Sequence, residues 1–102
     1  KKVRSGDHRG RAGVQNYVSS APLNLIYVAN LAPTSGGAIE ETRMNAAYGV
    51  GHISENVYLY CASTGLNVIV RSSIDKRDLL ALLDLNGHYE PLLGQPVGLP
   101  PP

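Results

Sequence analysis

Tryptophan and phenylalanine are absent from this chain, and its 102 residues include one cysteine and one methionine. Aromatic packing therefore falls to six tyrosines, each with a hydroxyl that needs a partner or solvent. The single Cys61 excludes an internal disulfide and a cysteine-based zinc cluster, and its apolar neighbours mark it as a small buried filler. No apolar run approaches the ~18 residues that a membrane-spanning helix needs, so we expect a cytoplasmic chain with no membrane partner. No secretory leader is visible, and an opening on Lys1 without Met fits trimming or processing. His8, His52 and His88 are scattered, with no His-x-x-x-His pair, so no metal site is expected. A Gly-x-Ser-x-Gly elbow is also lacking, which removes support for a hydrolase triad.

Charge is scarce at 17%, but the 43% hydrophobic content is that of a globular chain. It is also unevenly spread. Residues 1–11 form a basic arm in which Lys1, Lys2, Arg4, Arg9 and Arg11 face only Asp7. Such an arm can bind polyanions, yet no aromatic residue interleaves it and no nucleic-acid module follows. A solvated arm, or one lying against an acidic partner, is the expectation, with no nucleic-acid role.

Punctuation divides the chain into alternating elements. Residues 9–18 form a short helical candidate, broken by residues 19–22. Residues 23–31 (LNLIYVANL) read as a strand buried on both faces. Pro33, Thr34, Ser35, Gly36 and Gly37 make a loop. A long helix then runs from residue 39 or 41 to residue 64, with an interruption expected near Gly49 and Gly51. Gly65 suits its left-handed end. Residues 67–71 (NVIVR) read as a second strand, and Asp75 or Ser73 caps a helix that buries Leu79, Leu80, Leu82 and Leu83. That helix is expected to end near Asn86 and Gly87. A last strand, LLGQPVG, carries Pro96, which argues for an edge or irregular position. Residues 99–102 form a proline-rich tail. The order α-β-α-β-α-β predicts one domain with helices against a small sheet.

The long helix is the anomaly. Val50, Ile53, Val57 and Cys61 make one apolar stripe, while Tyr58 and Leu59 make the opposite side apolar too. A helix apolar all round belongs inside something larger. So short a chain can hardly surround it, which implies a missing partner.

Few residues stand out for chemistry. Gly49-Val50-Gly51 lacks a third glycine and does not follow a strand, so close helix packing is the better reading. His52 reads as a hydrogen-bonded core or interface histidine. Glu40 and Glu41 suit a helix start, and residues 75–78 look like a solvated face. Arg71 is harder to dismiss. It closes an apolar strand and leads into Ser72 and Ser73, where a guanidinium and free N–H groups meet an anion or a polar ring.

Five stretches in series carry a resemblance: SGDHR, QNYVSSAPLNLIYVAN, AAYGVGHISENVYLYCASTGLNVIVR, DKRDLLALLDL and PLLGQPVGLP. They include Ala21-Pro22 before an apolar strand, and a helix of the form G-x-I-x-(Q/E)-N-x-Y-L-x-x-x-x-x-G-L at Gly51, Ile53, Glu55, Asn56, Tyr58, Leu59, Gly65 and Leu66. Over nearly its whole length the chain resembles the C-terminal half of the nitroreductase family, in the SagB/ThcOx-like dehydrogenase branch.

That resemblance implies an α+β fold, a nitroreductase-like sheet with flanking helices. Residues 1–102 would be one partial domain, completed by dimerisation or by a missing N-terminal half. It implies a homodimer through the helix over residues 49–61, with FMN at the interface. Hydride would pass from NADH or NADPH to a nitro, quinone or similar small-molecule acceptor, or come from a ring being dehydrogenated. The matching flavin-binding positions are Val70 and Arg71 at the ring edge and the amides of Ser72 and Ser73. No catalytic residue is implied. Many members carry Glu-Gly where this chain has Ser-Ser. The family's arginine-rich phosphate grip, its Ser/Asn loop lining the isoalloxazine and its later Lys-x-Arg element have no counterpart, so the chain alone is expected to hold FMN weakly. Two alternatives remain open: a non-catalytic dimerisation module derived from that family, and a small polyanion-binding protein using residues 1–11.

Overall fold

The computed structural model describes residues 3–32 and 38–100, so the expected loop at residues 33–37 and the chain ends lie outside the described residues. Its elements are strand β1 (Leu23–Asn30), helix α1 (Ile39–Thr64), strand β2 (Asn67–Val68), helix α2 (Lys76–Leu82) and strand β3 (Tyr89–Gly98). The fold is α+β: an antiparallel three-stranded sheet in the order β1-β3-β2, with helices against it.

The candidate helix over residues 9–18 is instead two short 3-10 turns, Arg9–Arg11 and Asn16–Ser19. Gly10 and Gly13 weaken a continuous helix, and Val14 gives its N–H to Ser73 rather than to a helical carbonyl. Helix α1, by contrast, runs through Gly49 and Gly51 without interruption. It ends where expected, with Gly65 at φ 75° and its N–H returned to the Cys61 carbonyl. Asp75 caps α2 by accepting the Asp78 N–H at 3.1 Å. That helix stops at Leu82, short of Asn86, because Asp84 takes up a left-handed φ of 57°.

The last strand lies at the centre of the sheet, not at its edge, which corrects the reading of Pro96. Pro96 is tolerated there because the second ladder breaks opposite it. Strand β2 ends at Val68, Ile69 donates to the Pro96 carbonyl at 3.3 Å, and pairing resumes only at an Arg71–Gly94 bridge. The irregular half of the expectation holds, since the missing proline N–H faces a gap. A bulge between Tyr27 and Val28 shifts the register on the other side.

Alternation along the strands sorts side chains onto two faces. Leu25 and Gln95 share the face under α1, where Gln95 donates Nε2–H to the Ser54 carbonyl at 3.1 Å. Ile26, Gly94 and Arg71 share the opposite face, which carries the N-terminal turns and α2. The core is thin: Ala12, Val18, Leu79 and Leu82 on one side, Val50 and Cys61 on the other.

Helix α1 is covered on one side only. Val50, Ser54 and Cys61 are buried, whereas Tyr48, Ile53, Leu59 and Tyr60 are all more than half exposed (52–64%). Ile53 therefore leaves the stripe assigned to it, and Ser54 takes its place against the sheet. Cβ atoms built at Gly49 and Gly51 meet nothing within 4 Å, so no close packing occurs at either glycine within this chain.

Candidate functional site

Residues 70–73 leave the sheet at the point where Pro96 interrupts the ladder. Val70 is held by α1: its N–H donates to the Tyr58 hydroxyl at 2.7 Å. Arg71 exchanges two backbone hydrogen bonds with Gly94, at 2.7 and 2.9 Å. Ser73 gives its carbonyl to the Val14 N–H at 3.1 Å, and Ser72 gives its carbonyl to the Ile74 N–H at 2.9 Å.

These bonds aim the two serine amides. In a trans peptide the C=O and N–H point in opposite directions. The Arg71 carbonyl faces Gly94 in the central strand, so the Ser72 N–H in the same peptide points away from the sheet. The Ser72 carbonyl faces Ile74, so the Ser73 N–H is turned from it likewise. Among the described residues neither serine amide finds an acceptor. Arg71 is half-buried, and its Nε is shielded from solvent without a hydrogen-bond partner. Two outward N–H donors beside an under-used guanidinium suit an electron-rich ring edge or an anion.

The four residues picked from the sequence thus form one turn with different duties. The Val70 and Arg71 amides are occupied, leaving those residues their side chains, while Ser72 and Ser73 retain free donors. Tyr58 was not among the candidates, although an apolar helix carrying a phenol signals a hydroxyl in need of a partner. Gln95 carries no such signal in the sequence, and it is fully buried. The Tyr27 hydroxyl donates to its Oε1, and burial raises the Tyr27 pKa above its ordinary value. This half-buried pair ties β1 and β3 to α1.

The turn has little wall around it. A hollow of about 450 Å³ lined by Tyr17, Pro22, Ile69, Pro96 and Leu99 lies beside it and excludes residues 70–73. The free donors belong to the turn and not to the hollow. An apolar gap of about 370 Å³ separates α1 from the sheet at Leu25, Val57, Cys61 and Val97.

Other sequence candidates stay apart from the turn. His52 is exposed on α1, not a core histidine. His8 contacts the Ser5 carbonyl at 2.7 Å. Among the described residues no group of three metal-ligating side chains converges, and no helix is long and apolar enough to cross a membrane. Over its described part the basic arm is largely exposed to solvent, as expected, but its guanidiniums find partners within the chain. Arg4 donates to the Leu82 and Ala81 carbonyls at 2.7 and 3.2 Å, capping the C-terminal end of α2. Arg9 pairs with Asp7, whose carboxyl it draws down to about 2, and Arg11 pairs with Asp78. Residues 75–77 are exposed as expected, and the same face also holds a cap, Asp75, and an ion-pair partner, Asp78.

Comparison with known proteins gives this geometry a context. The Nitroreductase family model matches residues 6–99. A provisionally named nitroreductase of Methanocaldococcus jannaschii is 30% identical over 84 residues, covering 82% of this chain and 41% of the relative. A provisionally named nitroreductase of Ralstonia eutropha, known from its crystal structure, superposes with a TM-score of 0.86 at 36% identity. That superposition covers 98% of this chain and 48% of the Ralstonia protein. NfrA2 of B. megaterium superposes with a TM-score of 0.76 at 27% identity, covering 89% of this chain and 42% of NfrA2. The chain spans about half the length of the relatives it matches. Its sequence and its fold place this chain in the nitroreductase family.

Proposed function

We propose that this chain is the flavin-edge half of an FMN-dependent oxidoreductase of the SagB/ThcOx-like branch, acting as a homodimer through α1. The observation that carries the reading is the pair of acceptor-free amides at Ser72 and Ser73 beside Arg71. Those groups suit the electron-rich edge of a flavin, which needs N–H donors and a cation. When bound, FMN supplies the hydride relay between NADH or NADPH and a nitro, quinone or similar acceptor, or takes hydride from a ring being dehydrogenated. The chain's own part is orientation. Ser72 and Ser73 donate from fixed peptides, Val70 and Arg71 cover the ring edge, and Tyr58 holds the turn to α1.

The side of α1 bearing Tyr48, Ile53, Leu59 and Tyr60 would meet a second copy, excluding water from the flavin. Residues 1–102 then act as one partial domain, with residues 1–11 and 99–102 at its ends. The same exposed face favours a second reading, a dimerisation module without catalysis, because it calls for a partner whether or not flavin is present.

An absorption spectrum with light scattering on the purified chain tests both. A yellow dimer, or a dimer that takes up added FMN, supports the oxidoreductase. A dimer that stays colourless with added FMN leaves only the module, and a stable monomer without flavin rejects both readings.

A further inference from the structure

Residues 12–14 cross between the Ser72/Ser73 turn and the central strand at a separation that two glycines allow. A Cβ at Gly13 would stand 3.2 Å from Val18 Cγ1 and 3.4 Å from the Ser73 carbonyl oxygen. A Cβ at Gly94 would stand 3.3 Å from the Ala12 carbonyl oxygen and 3.3 Å from Ile74 Cγ2. Immediately before this strap, Arg11 grips Asp78 with two hydrogen bonds, Nε to Oδ2 at 2.9 Å and the terminal nitrogen to Oδ1 at 2.7 Å. Asp78 is itself fixed, because Asp75 caps its N–H.

From the strap a relay of peptide planes leads to the Ser73 donor. The Val14 N–H holds the Ser73 carbonyl at 3.1 Å. The other end of that same peptide is the Ile74 N–H, which holds the Ser72 carbonyl at 2.9 Å. The other end of the Ser72 peptide is the Ser73 N–H, which is left pointing outward. Each plane fixes the next, since a trans peptide cannot turn one end alone.

We infer that Arg11 and Asp78 are positioning residues: by clamping the strap over residues 12–14 they aim the Ser73 N–H at the flavin edge. The inference rests on the flavin reading of this turn. Neither side chain touches the turn's donors, and both act through Val14 and Ile74. A bidentate arginine–carboxylate pair suits this task because its planar fork sets direction as well as distance.

The test compares the wild-type chain with Arg11→Ala and with the exchanged pair Arg11→Asp/Asp78→Arg, without FMN for amide exchange and with FMN for affinity. Amide hydrogen exchange at Val14 and Ile74 is the cofactor-independent readout, with the Leu83 amide of the α2 end as the internal reference. Flavin fluorescence quenching gives the FMN dissociation constant. Arg11→Ala is expected to speed exchange at Val14 and Ile74 about two- to fivefold, leaving Leu83 unchanged, as for loss of an exposed pair. FMN binding should weaken by a similar factor, and the exchanged pair should restore both. Unchanged exchange at Val14 and Ile74 overturns the inference and leaves the flavin reading standing. Faster exchange with unchanged FMN affinity also overturns the inference and leaves the flavin reading to Ser72 and Arg71, since the Ser73 turn then moves without consequence for the flavin. A wild-type chain that takes up no FMN removes the flavin reading and the inference with it.

Discussion

The Tyr58 hydroxyl accepts the Val70 N–H at 2.7 Å, joining the C-terminal third of α1 to the turn that follows β2. Ile69 and Arg71 on either side of Val70 donate to β3, so the Val70 N–H points away from that strand and finds its acceptor on the helix. Tyr58→Phe keeps the ring and leaves the half-buried Val70 amide without its acceptor. The expected loss is about 1–3 kcal/mol in urea unfolding, with faster amide exchange at Val70. Unchanged exchange at Val70 would show that the bond does not hold the turn.

Gln95 and Tyr27 form a pair whose cost lies in separation. Gln95 is fully buried and bridges the Tyr27 hydroxyl to the Ser54 carbonyl. Tyr27→Phe and Gln95→Leu should each destabilise by about 1–3 kcal/mol by stranding the other's polar atom. The double variant should lose less than the sum, by about 0.5–3 kcal/mol of coupling. Strict additivity in the double-mutant cycle would contradict a coupled pair.

Stability should fall at both ends of the pH scale for nameable reasons. Hydrogen bonds from Arg9 draw Asp7 from 3.8 to about 2, and hydrogen bonds from Arg11 draw Asp78 below 3.8. A depressed folded pKa contributes stability above the unfolded value, and that contribution is lost as pH falls through the folded pKa. For Asp7 the window runs from 3.8 down to about 2. Both pairs are exposed, so the slope should be shallow and should flatten in salt. Burial raises Tyr27 above 10.0, and a raised pKa contributes stability that is present below pH 10.0 and lost above it. Urea midpoints against pH, repeated for Asp78→Asn and Tyr27→Phe, should show each variant losing its own part of the dependence.

The two sides of α1 should respond oppositely to charge. Cys61 is 1% exposed, so Cys61→Asp buries an unpaired carboxylate and should cost about 3 kcal/mol or more. Leu59 is 61% exposed, so Leu59→Asp should change the stability of the folded chain by only about 0.5 kcal/mol. Light scattering should find Leu59→Asp shifted toward monomer if this face pairs two copies. An undiminished dimer would place the interface elsewhere.

Gly49 offers a finer probe of the same face. Nothing lies within 4 Å of a Cβ there, so Gly49→Ala in an isolated chain should stabilise α1 by about 0.5–1 kcal/mol. A second helix packed closely at that point would reverse the sign, because the added methyl would hold the two apart. Thermal melts at low and high protein concentration separate the two outcomes.

Local chemistry made much of the fold legible. Gly65 ends α1 and Asp75 caps α2 because left-handed backbone and a carboxylate cap are decided within a turn of chain. The all-round apolar character of residues 57–61 signalled an uncovered helix, and Leu59 and Tyr60 stand exposed on it. Glycine has opposite consequences in two places. Gly10 and Gly13 turned an expected helix into two 3-10 turns, while Gly49 and Gly51 left α1 whole. The difference is context: α1 has long helical flanks and contacts with the sheet, whereas the N-terminal segment is held by Ser73 instead.

The sequence by itself determined the order of elements from β1 onward, the end of α1 at Gly65, the start of α2 at Asp75 and the presence of an unpartnered helix, because those follow from periodicity and backbone preference over a few residues. Only the tertiary structure decided that β3 lies between β1 and β2, that Tyr58 holds Val70, and that Arg11 reaches Asp78 across 67 positions. Such choices depend on which distant groups meet once the chain closes on itself. A hydrogen bond between remote residues leaves no period in the sequence, so its partners are named only when the fold brings them together.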